Sequence, residues 1–211
     1  YNYYSTKSDY WGKRNKEEFI NKWLREFDIA HHIKIESVND GLGITLRLYK
    51  SEGDTIGQLL ADMGFGITQL VSILLSIVTH GTPVSEEANP PYAIIAIEEP
   101  ENHLHPAYQS LLADMFYDAW ERLGVMFVIE THSEYLIRKT QVILAGAYAW
   151  NTTKRESCEY YIPPFHNPFK VYYIPKNDKP YEMIYRKDGN FENDFGTGFY
   201  DEATNLAFQT M

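Results

Sequence analysis

The stretch Ala93-Ile94-Ile95-Ala96-Ile97-Glu98-Glu99-Pro100 constrains this chain more than any other. Its unbroken apolar run, rich in isoleucine, fits a strand buried on both faces, and such strands belong to parallel sheets covered by helices. Pro100 cannot donate to a ladder, so the strand ends in the carboxylates of Glu98 and Glu99. A second apolar run, Val125 to Ile129, ends in Glu130-Thr131-His132-Ser133. Between the two runs Pro106 opens and Gly124 closes a helix, with Leu111, Leu112, Met115, Phe116 and Trp120 along one side. Two strands joined by a helix make a βαβ unit, and a right-handed crossover sends both carboxyl ends to the same edge. The expected fold class is therefore α/β, with parallel core strands flanked by helices and with Glu99 and His132 on one rim. Open α/β folds hold their ligands at that rim.

The residue types there have a chemistry of their own. Adjacent carboxylates repel each other unless something positive lies near. Either Glu98 and Glu99 mark a solvated loop start, or one faces Mg²⁺, directly or through water, while the other orients or deprotonates an attacking water. His132 closes a buried strand beside the paired acids and is a candidate site residue, with a structural histidine as the alternative. Upstream, Gly64 and Gly66 lead into an apolar helix whose first turn carries Thr68 and Gln69. Glycines let backbone approach a ligand, and the free amides of a helix start bind anions; a plain loop–helix junction is the other reading. His105, in Glu101-Asn102-His103-Leu104-His105-Pro106, is either packed on the sheet rim or in direct contact with a ligand. In a competing enzyme reading, His103, His105 and His132 with Glu98, Glu99 and Glu130 ligate Zn²⁺ or Mn²⁺ as a metallohydrolase.

The remaining chain frames this centre. Residues 1–15 are rich in Tyr, Ser and Lys without a clear period and read as a linker or arm. From Lys16, Phe19, Ile20, Trp23, Leu24 and Phe27 keep the spacing of an amphipathic helix. Ile33 to Val38 and Gly43 to Tyr49 alternate apolar with polar around the turn Asn39-Asp40-Gly41, a hairpin with one wet face. A proline-bearing loop, His80 to Pro91, follows the glycine-led helix, and His80 reads as a helix-end residue. Glu134 to Ala147 reads as a helix, and Lys170–Ile174 with Tyr181–Arg186 as a second hairpin. Domain boundaries are expected at 1–15, 16–150 and 151–211. With 211 residues, 15% aromatic residues and 17 tyrosines, the chain has material for a real core and is no disordered tail. A formal net charge of -10 argues against a large nonspecific grip on nucleic acid. The single cysteine, Cys158, forms no internal disulfide and suits a reducing compartment; with no signal peptide and no long apolar run, a cytoplasmic location off the membrane is expected.

The order of these segments resembles a known class. The apolar run with Glu98-Glu99 resembles the Walker B segment of ABC-type ATPases, in the subgroup of SMC and Rad-like heads and the overcoming-lysogenization-defect (OLD) family. Glu98 stands where most members have aspartate. The form Glu98-Glu99-Pro100-Glu101 followed by Leu104-His105-Pro106 is similar to bacterial OLD-like AAA-type ATPases, including those of Septu-type antiphage systems and some retrons. Asp62-Met63-Gly64-Phe65-Gly66-Ile67-Thr68-Gln69 resembles the signature motif without its usual serine, Glu101 to Pro106 the D-loop, and His132 the switch histidine. The resemblance implies the C-terminal lobe of an ABC-type P-loop ATPase head with a peripheral hairpin. It implies ATP and Mg²⁺ as ligands, Glu98 toward the metal, Glu99 polarising water and His132 at the γ-phosphate. It also implies Gly64, Gly66, Thr68, Gln69 and His105 closing over nucleotide held by a second head. No Gly-x-x-x-x-Gly-Lys-Ser/Thr occurs, so hydrolysis is expected only together with an N-terminal P-loop half, and the chain, starting at Tyr1, reads as a piece of a longer product. The implied partners are a second copy in a head-to-tail dimer or higher oligomer, a nuclease or toxin effector, and DNA or RNA. A nucleotide-gated scaffold with slow or no hydrolysis is the non-enzymatic alternative.

Overall fold

The computed structural model describes residues 3–38, 43–84, 93–154, 167–202, 206, 208 and 209. The expected turn at Asn39-Asp40-Gly41, the prolines Pro90 and Pro91, and Cys158 lie outside the described residues. The chain divides into two compact units, Tyr1–His132 and Ser133–Met211.

The first unit opens with helix α1 (Tyr3–Glu26). The helix read from Lys16 thus begins at Tyr3, and most of the stretch expected as a linker or arm is helical. Helix propagation needs no amphipathic period once a buried anchor exists further along. That anchor is Phe19, Trp23, Leu24 and Phe27, all 3% exposed or less. Strands β1 (His32–Val38) and β2 (Gly43–Tyr49) form the expected antiparallel hairpin, with Ile33 opposite Leu48 and Ile35 opposite Leu46. Its polar face carries Lys34, Glu36 and Arg47, and Glu36 accepts from Arg47 Nε at 3.1 Å and from the Tyr49 hydroxyl at 2.9 Å. A two-residue strand, β3 (Gln58–Leu59), adds to the other side of β2. A run that short leaves no alternation to read.

Helix α2 (Phe65–His80) is apolar on most of its surface and buries Leu70, Val71, Leu74 and Ile77. Strand β4 (Ala93–Glu98), helix α3 (Pro106–Leu123) and strand β5 (Val125–Glu130) complete the expected βαβ unit. Pro106 starts α3, and Gly124, at φ 59°, ends it by giving its N–H to the carbonyls of Ala119 and Trp120. A residue with a Cβ would be strained there. Leu112, Met115 and Leu123 of α3 are fully buried, and Phe116 reaches β5 with its ring 4.7 Å from that of Phe127.

β4 and β5 pair in parallel over six positions, from Ala93 opposite Val125 to Glu98 opposite Glu130. The expectation that these strands are buried on both faces is corrected here. Exposure alternates along each, and Ile94 is 62% and Val128 59% exposed. Residue chemistry suits either face to burial, but α3 supplies cover on one.

In the second unit, helix α4 (Glu134–Lys154) runs past the boundary expected at residue 150. Strands β6 (Val171–Tyr173) and β7 (Tyr181–Met183) pair antiparallel, Tyr172 opposite Glu182. Residues 195–200 join an aromatic cluster. Phe195 lies 5.5 Å from Tyr173 and 4.6 Å from Phe199, and the Arg138 guanidinium sits 4.0 Å above the Tyr200 ring. Tyr185 shares a 2.6 Å hydrogen bond with the Thr140 hydroxyl, and burial pushes its phenol up to about 12.

Asp118 ties α1 to α3. Asp118 accepts from the Trp23 indole at 2.9 Å and from Lys22 at 3.0 Å. Trp23 is only 3% exposed, so its N–H has no water to turn to. Asp118→Ala is therefore expected to lower stability by about 1–3 kcal/mol, the cost of an unpaired buried donor, read as a lower denaturant midpoint at unchanged slope.

Candidate functional site

Both strands of the parallel pair end in acid at the same edge, Glu98 opposite Glu130. The chain then turns sharply. Glu99 takes φ 46°, a left-handed conformation that costs a non-glycine residue about 1–2 kcal/mol and persists only where its surroundings impose it. Three bonds impose it. Its N–H donates to the Glu130 carbonyl at 2.9 Å, extending the ladder by one step, and its carbonyl accepts from Asn102 N at 3.1 Å and from Gln69 Nε2 at 3.0 Å. The carboxylate is thereby swung out of the strand line. Asn102 Nδ2 donates to its Oε2 at 2.8 Å, and His132 Nε2 stands 3.5 Å from its Oε1 and 3.9 Å from Glu130 Oε1. The expected meeting of Glu99 and His132 on one rim is therefore present. Both side chains face solvent, with 44% and 74% of their surface exposed, so a ligand can reach the carboxylate and the imidazole together.

The other expected residues fall into place unevenly around this pair. Gln69, on the first turn of α2, bonds the backbone of Glu99, and its Oε1 is buried without a partner among the described residues. Gly64 is the N-cap of α2 at φ −62°, its carbonyl accepting from Ile67 N and Thr68 N, and a side chain there would meet open space. Gly66 is buried, and a Cβ on it would lie 2.6 Å from the His103 carbonyl oxygen. The close approach that demands this glycine is to the loop after β4. Thr68 bonds back to the Gly64 and Leu60 carbonyls at 3.3 and 3.5 Å. His105 caps α3, its Nδ1 accepting from Ala107 N at 3.2 Å. His103, at φ 59°, packs its ring edge-on to Phe65 at 5.0 Å.

The zinc or manganese centre built on His103, His105 and His132 does not assemble. Among the described residues no three His, Cys, Asp or Glu side chains are grouped to hold a metal ion. His105 and His103 are engaged with the start of α3 and with Phe65. The donors at the sheet edge are the hard carboxylate oxygens of Glu98, Glu99 and Glu130. Oxygens of that kind suit Mg²⁺, which needs only one or two carboxylates beside phosphate oxygens and retained waters.

A sheet edge of this composition, next to the start of an apolar helix, agrees with comparison to known families. The family model described as AAA ATPase domain matches residues 2–137. The chain belongs to the AAA ATPase domain family. No curated protein matches it. Among solved structures it is similar to one described as "Structural biochemistry of ATP-driven dimerization and DNA stimulated activation of SMC ATPases", with 8% identity over 93% of this chain and 91% of that one and a TM-score of 0.49.

Within this AAA ATPase domain two residues of the edge escaped sequence reasoning. Asn102 holds both the carbonyl and the carboxylate of Glu99, and Glu101 accepts the backbone N–H of His132 at 2.7 Å. The available signal was the third acid of Glu-Glu-Pro-Glu and an asparagine three residues after the turning glutamate. No helix among the described residues is long and apolar enough to cross a membrane.

The two glycines at α2 make a contrast that tests the packing. Alanine at an internal helix position ordinarily stabilises by up to about 1 kcal/mol relative to glycine. Gly66→Ala is expected to do the reverse, losing about 1–3 kcal/mol because the new methyl meets backbone. Gly64→Ala, whose methyl would meet open space, should cost less, about 0.5–1 kcal/mol from the poorer N-cap. Equal midpoints for the two variants would contradict the fit of Gly66 against His103.

Proposed function

We propose that this chain is the C-terminal lobe of an ABC-type ATPase head that hydrolyses ATP together with a P-loop half. The observation that carries the reading is the convergence of Glu99 and His132, 3.5 Å apart at the carboxyl edge of a parallel strand pair. Glu99 accepts the proton of the attacking water, Asn102 holds its carboxylate in register for that step, and the His132 imidazole stands beside it. His132, reaching outward from the strand end, donates to an oxygen of the terminal phosphate. Glu98, on the exposed side of β4, and Glu130 opposite it hold the metal, directly or through its water shell. Mg²⁺ there supplies neutralisation of the charge that develops on the transferring phosphoryl group. Gly64, Thr68 and the first turn of α2 present amides to the phosphates of nucleotide bound by a second head, so turnover requires a head-to-tail dimer. His105 stands at the start of α3 beside that seam.

The wider setting follows from the Glu98-Glu99-Pro100-Glu101 and Leu104-His105-Pro106 pattern. It supports a place among OLD-like ATPases of antiphage defence, with a nuclease or toxin effector and DNA or RNA as partners. Plating efficiency of phages on cells carrying the intact or the Glu99→Gln gene measures that role, and equal plating would remove it.

Glu99→Gln in the full-length protein keeps the shape of the site and removes the base. Hydrolysis is expected to fall by about 10²–10⁴-fold, the usual range for losing a general base, with ATP binding retained. The variant should accumulate as a nucleotide-bound dimer, visible by size-exclusion chromatography with ATP and Mg²⁺. Unchanged phosphate release in this variant would sink the assignment of Glu99.

A further inference from the structure

Glu101 has no part in the chemistry above, yet it is the one acid buried among the described residues, at 8% exposure. Its two oxygens differ. Oε1 accepts the backbone N–H of His132 at 2.7 Å, a bond spanning 31 positions of sequence, while Oε2 is buried and has no partner among the described residues. A buried carboxylate is expensive, and a charge-assisted bond from a single N–H recovers only part of that cost. A residue needed only to fill space there would be better apolar.

The geometry gives Glu101 a reason. It lies two residues beyond Glu99 on the same tight loop, where Leu104 N donates to the Glu101 carbonyl and Asn102 N to the Glu99 carbonyl, each at 3.1 Å. One loop thus presents the Glu99 carboxylate to the His132 imidazole and grips the His132 main chain. The imidazole itself is exposed, and the groups it faces are carboxylates at 3.5 and 3.9 Å. Contacts so long and so accessible to water hold a side chain weakly. The 2.7 Å bond to Glu101 is the tighter restraint on where that imidazole starts.

We infer that Glu101 is a positioning residue for the phosphate-facing histidine: by fixing the backbone at His132 it sets the separation of the imidazole from the Glu99 carboxylate. The inference rests on the ATPase reading of this edge.

The test is steady-state and single-turnover ATP hydrolysis by the full-length protein. Glu101→Gln keeps an acceptor for His132 N and loses no hydrogen bond at the other atom, so its kcat is expected within about threefold of the parent. Glu101→Ala should lower kcat by about 10–100-fold with KM for ATP changed less than about threefold, the mark of an interaction that matters in the transition state. In a His132→Ala background, Glu101→Ala should add no more than about twofold, because residues that act through one another are not additive. Should the alanine variant fail to fold, Glu101→Asp, which keeps the charge but withdraws the acceptor, is expected to lose about tenfold in kcat.

A glutamine variant as slow as the alanine variant, an aspartate variant as fast as the parent, or an undiminished alanine effect without His132 would each overturn the inference. Failure of the ATPase reading has a different signature: the parent protein would hydrolyse ATP no faster than Glu99→Gln.

Discussion

The site depends on the parallel ladder between β4 and β5 being carried one step past its regular end. Six paired positions bring Glu98 level with Glu130, and the Glu99 N–H then takes the Glu130 carbonyl. That last bond commits the chain to a turn, since Pro100 has no N–H with which to continue. The two strand ends are thereby fixed relative to each other before any side chain is considered. Everything placed after them, the carboxylate of Glu99 on one side and His132 on the other, inherits a separation set by backbone hydrogen bonding.

The loop from Glu99 to His105 turns this fixed edge into a site by accepting local strain. Two of its non-glycine residues, Glu99 and His103, adopt positive φ. Each is opposed by a specific neighbour: Gln69 holds the Glu99 carbonyl, and the bare Gly66 lets α2 close on the His103 carbonyl. Both restraints come from the first turn of α2, so the helix start read as a phosphate-facing element is also the buttress of the acidic loop. A change of position at α2 would be felt at Glu99 through one hydrogen bond.

Sequence reasoning reached the parts of this arrangement that are written in one-dimensional order. An apolar run with a proline stop, a proline-led and glycine-ended helix, and a second run ending in histidine sufficed to put Glu99 and His132 on one rim. It overstated burial of the strands, because an isoleucine run reports a preference and not which face receives cover. It began α1 at Lys16, because the residues before it have no period although the backbone remains helical from Tyr3. It left Gly66 between ligand approach and a plain loop–helix junction, and the backbone packed against it is a carbonyl distant in sequence. Glu101, Asn102 and the target of Gln69 were hidden for the same reason, since each acts through a contact across the fold. The rings of Tyr173, Phe195 and Phe199, too, meet only after folding.

On the reading proposed above, Glu99 is the acid of this edge that handles a proton, and its surroundings differ from those of its neighbours. Glu98 and Glu130 belong to the strands themselves, and their directions are set by the pleat, toward the exposed face with Ile94 and Val128. Glu101 is turned inward and used as an anchor. Glu99 takes the last bond of the ladder in a conformation its neighbours enforce, with one oxygen held by an amide donor and the other near an imidazole. A base must be oriented without being neutralised by a full ion pair, and a neutral amide beside a water-exposed histidine meets that requirement better than a buried lysine or arginine would. The left-handed turn at Glu99 separates its carboxylate from those of Glu98 and Glu130, which share the same sheet edge.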